Sequence, residues 1–256
     1  MVIPVIGKRT SGDLKWVLRQ RETYLAVLRA LWVLESPLSL IRDEVLSRSL
    51  RSNEISLRTP IGRVRAHLNG PVDLSTLFGV FCRDDYRVGP DLKVAVDIGA
   101  NIGMTSLYFL SRNSTSLVYA YEPVPQNTKR LLVNIAPFGS RCELSPVAVG
   151  ARSGTVDFGV EPTGKFGGIK VASSERISVS CTGINDLLER VLSKHSEIDC
   201  LKIDVEGTER ETLAGISREF WSRIGCVYAE NCNSSSFMPE NFSRSFRYNV
   251  ERLERH

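Results

Sequence analysis

The sequence predicts an α/β fold, a doubly wound, mostly parallel sheet preceded by a helical and hairpin N-terminal extension. Three observations predict it. From residue 93 onward, apolar runs of strand length alternate with stretches of helical periodicity. The first run, VAVDI at 94–98, leads straight into GANIG at 99–103 and then into MTSLYFL at 104–110, which reads as a helix. The second run, LVYAY at 117–121, ends in Glu122. A strand that turns through glycines into a helix brings backbone N–H groups close to a ligand. An acid at the end of the next strand is where nucleoside-cofactor folds hold a ribose hydroxyl.

Taken in order, residues 11–34 read as an amphipathic helix with Leu14, Val17, Leu18, Leu25, Leu28 and Trp32 on one side. Ser36-Pro37 is a cap and first-turn signal for a second helix to about residue 50. Residues 55–58 and 63–68, joined through TPIG at 59–62, read as a hairpin, and residues 73–86 bridge to the sheet. This extension, residues 1–90, is expected to act as an acceptor lid or a dimer contact, with 91–256 forming the main domain. Core strands are expected near 93–98, 117–121, 142–148, 199–204 and 224–230, and helices near 103–111, 125–135, 183–193 and 208–217. An inserted β segment, 154–160 and 168–179, carries the turn TGKFGG at 163–168, expected to be a flap near the acceptor. Only 26 residues follow Glu230, enough for a helix around 239–246 and one strand at 248–253. The far edge of the sheet is therefore expected to be abbreviated or completed by a second subunit.

The glycine turn departs from the dinucleotide pattern G-x-G-x-x-G, because Asn101 and Met104 stand where glycines are needed. A second motif, IDCLKIDVEGTE at 198–209, is equally distinctive. A parallel strand covered on both faces should be apolar throughout, so Lys202, Asp204 and Glu206, which alternation places on one face, are out of place there. A structural ion pair between Lys202 and one acid explains the lysine. Asp204 sits at the strand's carboxyl end, where ligands bind in open α/β sheets. Thr208-x-x-Glu211 reads as a capping box opening the next helix, and Glu209 suits the positive end of that helix.

Together, DIGANIG at 97–103, Glu122-Pro123, KIDVEGTE at 202–209 and IGCVYAE at 224–230 resemble the FkbM-type family of S-adenosylmethionine-dependent methyltransferases. The resemblance implies a class I methyltransferase core, Rossmann-like in topology. It also implies S-adenosylmethionine as cofactor and a hydroxyl acceptor on a sugar, glycan or secondary metabolite. Carried onto this chain, it assigns Asp97, Gly99, Asn101, Gly103, Glu122 and Pro123 to the cofactor, with Glu122 on its ribose. Asp204, Glu206 and Glu230, all at carboxyl ends of neighbouring core strands, are expected to face the acceptor. They would act there as acid–base groups or as ligands of magnesium. His67, His195 and His256 are the chain's histidines, and none is expected at the site. No [DNS]-P-P-[YFW] run is present, which weighs against methylating amino groups.

Two other classes share some of these features. A nicotinamide-dependent oxidoreductase would use the same strand, turn and acid, but lacks the glycines it needs and has no use for the late acidic motif. A silent module that kept the cofactor fold would bind without turnover. A net charge of +4 over 256 residues is too mild for a nucleic-acid partner. Six cysteines fall singly, never as C-x-x-C, which fits a reducing cytoplasm and offers no zinc site. The sequence shows neither a signal-peptide order nor an apolar run of membrane-spanning length.

Overall fold

The computed structural model describes residues 21–45, 52–160, 167–168, 175–230 and 238–256. The chain divides into two compact units, Met1–Arg87 and Val88–His256.

In the first unit, α1 (Arg21–Val33) and α2 (Pro37–Val45) precede a hairpin of β1 (Glu54–Thr59) and β2 (Gly62–His67). Then α3 (Pro71–Leu77) runs into a π-helical segment, Phe78–Arg83. The hairpin closes at Thr59 opposite Gly62, whose φ of 106° needs a glycine, and Thr59 Oγ1 donates to the Gly62 carbonyl at 2.7 Å. The expected apolar stripe on the first helix is not its packed side. Leu25, Leu28 and Trp32 are 48%, 62% and 61% exposed, whereas Ala30, Val33 and Leu34 are buried. Residues 11–20, the continuation of α2 beyond Val45, and the turn residues 163–166 lie outside the described residues.

The second unit is built on a sheet of seven strands: β3 (Val94–Ile98), β4 (Leu117–Tyr121), β5 (Cys142–Ser145), β10 (Ile198–Ile203), β11 (Ile224–Glu230), β12 (Phe242–Arg247) and β13 (Val250–Arg255). Their order across the sheet is β12-β13-β11-β10-β3-β4-β5. From β11 to β5 all neighbours are parallel, and β12 and β13 add antiparallel. Every residue of β3 is buried, as a central parallel strand covered on both faces demands. The covering helices are α4 (Met104–Leu110), α5 (Pro125–Ile135), α6 (Ile184–Leu192), α7 (Glu209–Ala214) and the short α8 (Arg218–Trp221). In α6 the buried residues Ile184, Leu187, Leu188, Val191 and Leu192 follow helical spacing and pack on the apolar side chains of β3, β10 and β11.

Three expectations fail here for physical reasons. Residues 142–148 are not one strand: the chain leaves the main sheet after Ser145, at Pro146, which has no N–H to give a ladder. It resumes as β6 (Ala148–Gly150), which joins β7 (Gly154–Val160), β8 (Gly167–Gly168) and β9 (Glu175–Gly183) in a separate sheet of order β6-β9-β7-β8. Residues 239–246 form no helix. They enter β12, which pairs with β13 through a turn where Tyr248 takes φ 56°. Phe242 anchors that hairpin, edge-on to Trp221 with ring centroids 5.4 Å apart. The far edge of the sheet is thus formed by the β12–β13 hairpin and is not abbreviated.

Candidate active site

At the carboxyl ends of β3 and β10, adjacent in the sheet, two turns meet. The first, after β3, passes through Gly99, Asn101 and Gly103 with φ of 73°, 50° and 84°. Gly99 and Ala100 each donate their N–H to the Tyr121 carbonyl at 3.0 Å. The second turn, after β10, passes through Glu206 at φ 52° and Gly207 at φ 104°. A left-handed glutamate is uncommon, and such backbone is held by its surroundings and concentrates at functional sites. The same φ breaks the strand alternation that placed Lys202, Asp204 and Glu206 on one face, since β10 already ends at Ile203. The turns touch: a Cβ on Gly99 would lie 1.7 Å from the Asp204 carbonyl oxygen, and Asp204 N–H donates to the Ile98 carbonyl at 3.1 Å. Gly99 is therefore required by the neighbouring loop, independent of any ligand.

Between these turns lies a cleft of ≈ 510 Å³, open to solvent. Gly99, Asn101, Glu122 and Pro123 line one side, Asp204 and Glu206 another, and Val147, Val149 and Phe158 form an apolar wall. Its acids are Glu122, Asp204 and Glu206, and among the described residues no lysine, arginine or histidine lines it.

The carboxylate of Glu122 is buried and well satisfied. It accepts from the N–H of Asn101 at 2.9 Å, the N–H of Val124 at 2.9 Å and the Asn127 side-chain amide at 3.3 Å. Burial nevertheless raises its pKa, and these hydrogen bonds only partly offset that. A carboxylate offers roughly four lone-pair sites, so about one is left to face the cleft.

Asp97 does not line the cleft. It is fully buried, with one oxygen accepting from Ser106 Oγ at 2.7 Å and the other 3.2 Å from Lys202 Nζ. Strand register explains the pair, since Asp97 and Lys202 are directly opposite on β3 and β10. Lys202 Nζ also lies 3.3 Å from Asp204 and donates to the Gly99 carbonyl at 2.8 Å. Burial alone would lower its pKa, but the charges of Asp97, Asp204 and Glu230 outweigh that and raise it, so it stays an ammonium. Gly103 caps α4 against Leu131 and also stands off the cleft.

The acids after β10 are less settled. Oδ1 of Asp204 is buried without a hydrogen-bond partner. Burial, then the charges of Asp204, Glu230 and Glu209, push Glu206 up to about 8. Glu230, at the end of β11, does not line the cleft but is near enough to act on Glu206, and it accepts from the Asn249 side-chain amide at 3.0 Å. Glu209 does not serve a dipole alone: both its oxygens accept from the Gly207 N–H, at 3.1 and 2.9 Å. The capping box is absent as such. Thr208 precedes α7 without a side-chain cap bond, and its hydroxyl is buried without a partner.

Among the described residues, no group of three or more His, Cys, Asp or Glu is placed to hold a metal ion. Among the described residues the cysteines form no disulfide, and no helix is long and apolar enough to cross a membrane. His195 sits between α6 and β10, at the opposite end of the sheet from the cleft, and bonds the Tyr119 hydroxyl at 2.8 Å. The sequence did not single out Asn127, Val147, Val149 or Phe158. Of these only Asn127, on the helix opening just after Glu122-Pro123, carries a signal that spacing could have revealed.

The mostly parallel sheet with an antiparallel edge pair, and a cleft at the carboxyl ends of its central strands, define a class I methyltransferase fold. Residues 97–248 match the methyltransferase FkbM domain, and the chain belongs to that family and is a methyltransferase. It is 30% identical over 212 residues to the 31-O-demethyl-FK506 methyltransferase FkbM of Streptomyces tacrolimicus, covering 68% of this chain and 80% of that protein. It is 27% identical over 188 residues to methyltransferase sdnD of Sordaria araneosa, 59% of this chain and 71% of that one. To the 2-O-methyltransferase NoeI of Sinorhizobium fredii it is 27% identical over 161 residues, 55% of this chain and 63% of the relative.

Proposed function

We propose that this protein is an S-adenosylmethionine-dependent O-methyltransferase acting on a hydroxyl of a sugar, glycan or secondary metabolite. The observation that carries the reading is the cleft itself, which the glycine turn and Glu122 line together with Asp204 and Glu206. The residues fit a cationic nucleoside cofactor. Among the described residues the lining charges are all acidic, Glu122 has about one acceptor site left for a ribose hydroxyl, and Val147, Val149 and Phe158 offer an apolar surface for a base. The buried, unpartnered Oδ1 of Asp204 awaits a donor. Two relatives whose names specify O-methylation support the acceptor class.

When bound, the cofactor supplies a methyl group already activated on a sulfonium. The chain's own task is to hold and align the acceptor hydroxyl and to take its proton. Glu206 is suited to the second part, because a carboxylate pushed up to about 8 is a far better base than an ordinary one once ionised. A cation in the cleft draws that value down toward neutrality. Asp204, held by Lys202 through one oxygen, keeps the other for the acceptor or the cofactor. Glu230 acts on Glu206 through its charge rather than from the cleft wall.

Calorimetric titration with S-adenosylhomocysteine and with NAD tests the cofactor, and release of S-adenosylhomocysteine from S-adenosylmethionine on addition of cell-extract acceptors tests turnover. The expected result is binding of the first, none of the second, and acceptor-dependent release. Binding of NAD alone would overturn the reading in favour of an oxidoreductase. Binding without release from any extract would leave a silent module.

A further inference from the structure

Lys202 is the least expected residue of the second unit. It is a lysine in a buried parallel strand, 3% exposed, lining no part of the cleft. Its ammonium nevertheless reaches both turns that do. It donates to the Gly99 carbonyl at 2.8 Å and lies 3.2 Å from Asp97 and 3.3 Å from Asp204. Asp97 in turn accepts from Ser106 Oγ on α4 at 2.7 Å, so the same ammonium is linked to the helix that follows the glycine turn. A buried ion pair is weak evidence for stability, because apolar residues of similar size often do as well. An ammonium shared between two loops has a different use: it fixes one loop against the other.

We propose that Lys202 is a positioning residue that locks the glycine turn to the Asp204 loop, so that the cofactor and acceptor sides of the cleft are assembled as one unit. The inference rests on the reading of the cleft as an S-adenosylmethionine site. The glycine turn needs such a lock because three of its residues hold left-handed φ. The Tyr121 carbonyl and Glu122, at the end of β4, and Asn134 on α5, which donates to the Ile102 carbonyl at 2.8 Å, hold the turn from other elements. Toward β10, the backbone bond from Asp204 N–H to the Ile98 carbonyl holds the entry to the turn, and Lys202 adds a side chain that grips Gly99 itself. The other carboxylates whose charges act on this group are Glu122, Glu206 and Glu230. Replacing Lys202 therefore leaves the acids facing one another with no cation between them.

The test compares wild type, Lys202→Met, and the double variant Asp97→Asn/Lys202→Met, which removes the fully buried charge that the single variant strands, with near-UV circular dichroism to identify which variants are folded. Leu187→Ala, a cavity on α6, a helix that supplies no residue to either turn, is the control for lost stability. Hydrogen exchange on the free proteins reads the turn at 99–103, and calorimetry reads S-adenosylhomocysteine affinity. The expected result is faster exchange at 99–103 and about tenfold weaker binding in the double variant, with the rest of β3 still protected. Leu187→Ala should lower the melting temperature and leave both readings unchanged. Unchanged exchange at 99–103 in the folded double variant would overturn the proposal, as would an affinity equal to wild type. A wild type that binds no S-adenosylhomocysteine would sink the cofactor reading, while the exchange comparison still decides whether Lys202 locks the turns.

Discussion

The two turns at the carboxyl ends of β3 and β10 are built alike and charged alike, yet they differ in how far their charges are satisfied. On the β3 side, Glu122 accepts three hydrogen bonds, and Asp97 accepts one from Ser106 through one oxygen while the other, without a hydrogen bond, is ion-paired to Lys202. On the β10 side, Asp204 keeps one buried oxygen without a donor, and Glu206 is pushed up to about 8 by burial and by the acids around it. Satisfied groups hold a shape, whereas unsatisfied ones are left to be completed by a ligand or spent on a proton. Under the proposed function, the contrast assigns the β3 side to shaping a cofactor pocket and the β10 side to the chemistry.

The largest effect should come from breaking the contact between the two sides. Gly99→Val places a Cβ where the Asp204 carbonyl already sits, at a φ of 73° that a β-branched residue resists. We expect a stability loss of about 4 kcal/mol or more and no detectable S-adenosylhomocysteine binding, read by thermal unfolding and calorimetry. A Gly99→Val variant that still binds would mean that the turns need not touch.

Next in size is Glu122→Ala, which removes a charged acceptor from the cleft and unties the Asn101 and Val124 N–H groups together. Cofactor affinity should fall by about 1.5–3 kcal/mol, measured on the folded variant. Unchanged affinity would take Glu122 out of the cofactor side.

On the other side, Asp204→Asn or Glu206→Gln should lower methyl transfer to extract acceptors at least about tenfold, near 1.4 kcal/mol, while changing cofactor affinity less than about threefold. In wild type the rate should rise with pH and level off as Glu206 ionises, and Glu206→Gln should abolish that rise. A chelator that reproduced the mutant defect, reversed by added magnesium, would favour a metal role instead.

The smallest effect separates the two sides by stability alone. Glu206 has its folded pKa raised from the ordinary 4.5 to about 8, so its contribution to stability is full below 4.5 and lost as pH rises through 8. Glutamine does not titrate. Glu206→Gln should therefore melt near wild type at pH 4 and higher than wild type at pH 9, by on the order of 4 °C, or about 1–2 kcal/mol. Equal melting at both pH values would show that Glu206 is well solvated in the folded protein.

Much of this arrangement is legible in the sequence, because parallel strands buried on both faces leave continuous apolar runs with turns between them. β3, β4, β10 and β11 fall within a residue of their expected places, and the acids at their ends follow. What the sequence hides depends on tertiary contact. Asp97 reads as a cofactor ligand until the β3–β10 register places it against Lys202. Thr208-x-x-Glu211 has the spacing of a capping box, but Glu209 takes the Gly207 N–H instead. Residues 242–247 carry too weak an alternation to show as an edge strand, with Phe242 buried and Phe246 62% exposed. Phe158 belongs to an insertion whose pairing gives no local signal of the cleft.

The division of the cleft is tested most directly by titrating S-adenosylhomocysteine into wild type, Glu122→Ala and Glu206→Gln under one condition. The predicted result is clear binding by wild type, a loss of at least about tenfold for Glu122→Ala, and a value within about threefold of wild type for Glu206→Gln. No binding by wild type, or a loss in Glu206→Gln as large as that in Glu122→Ala, would contradict it.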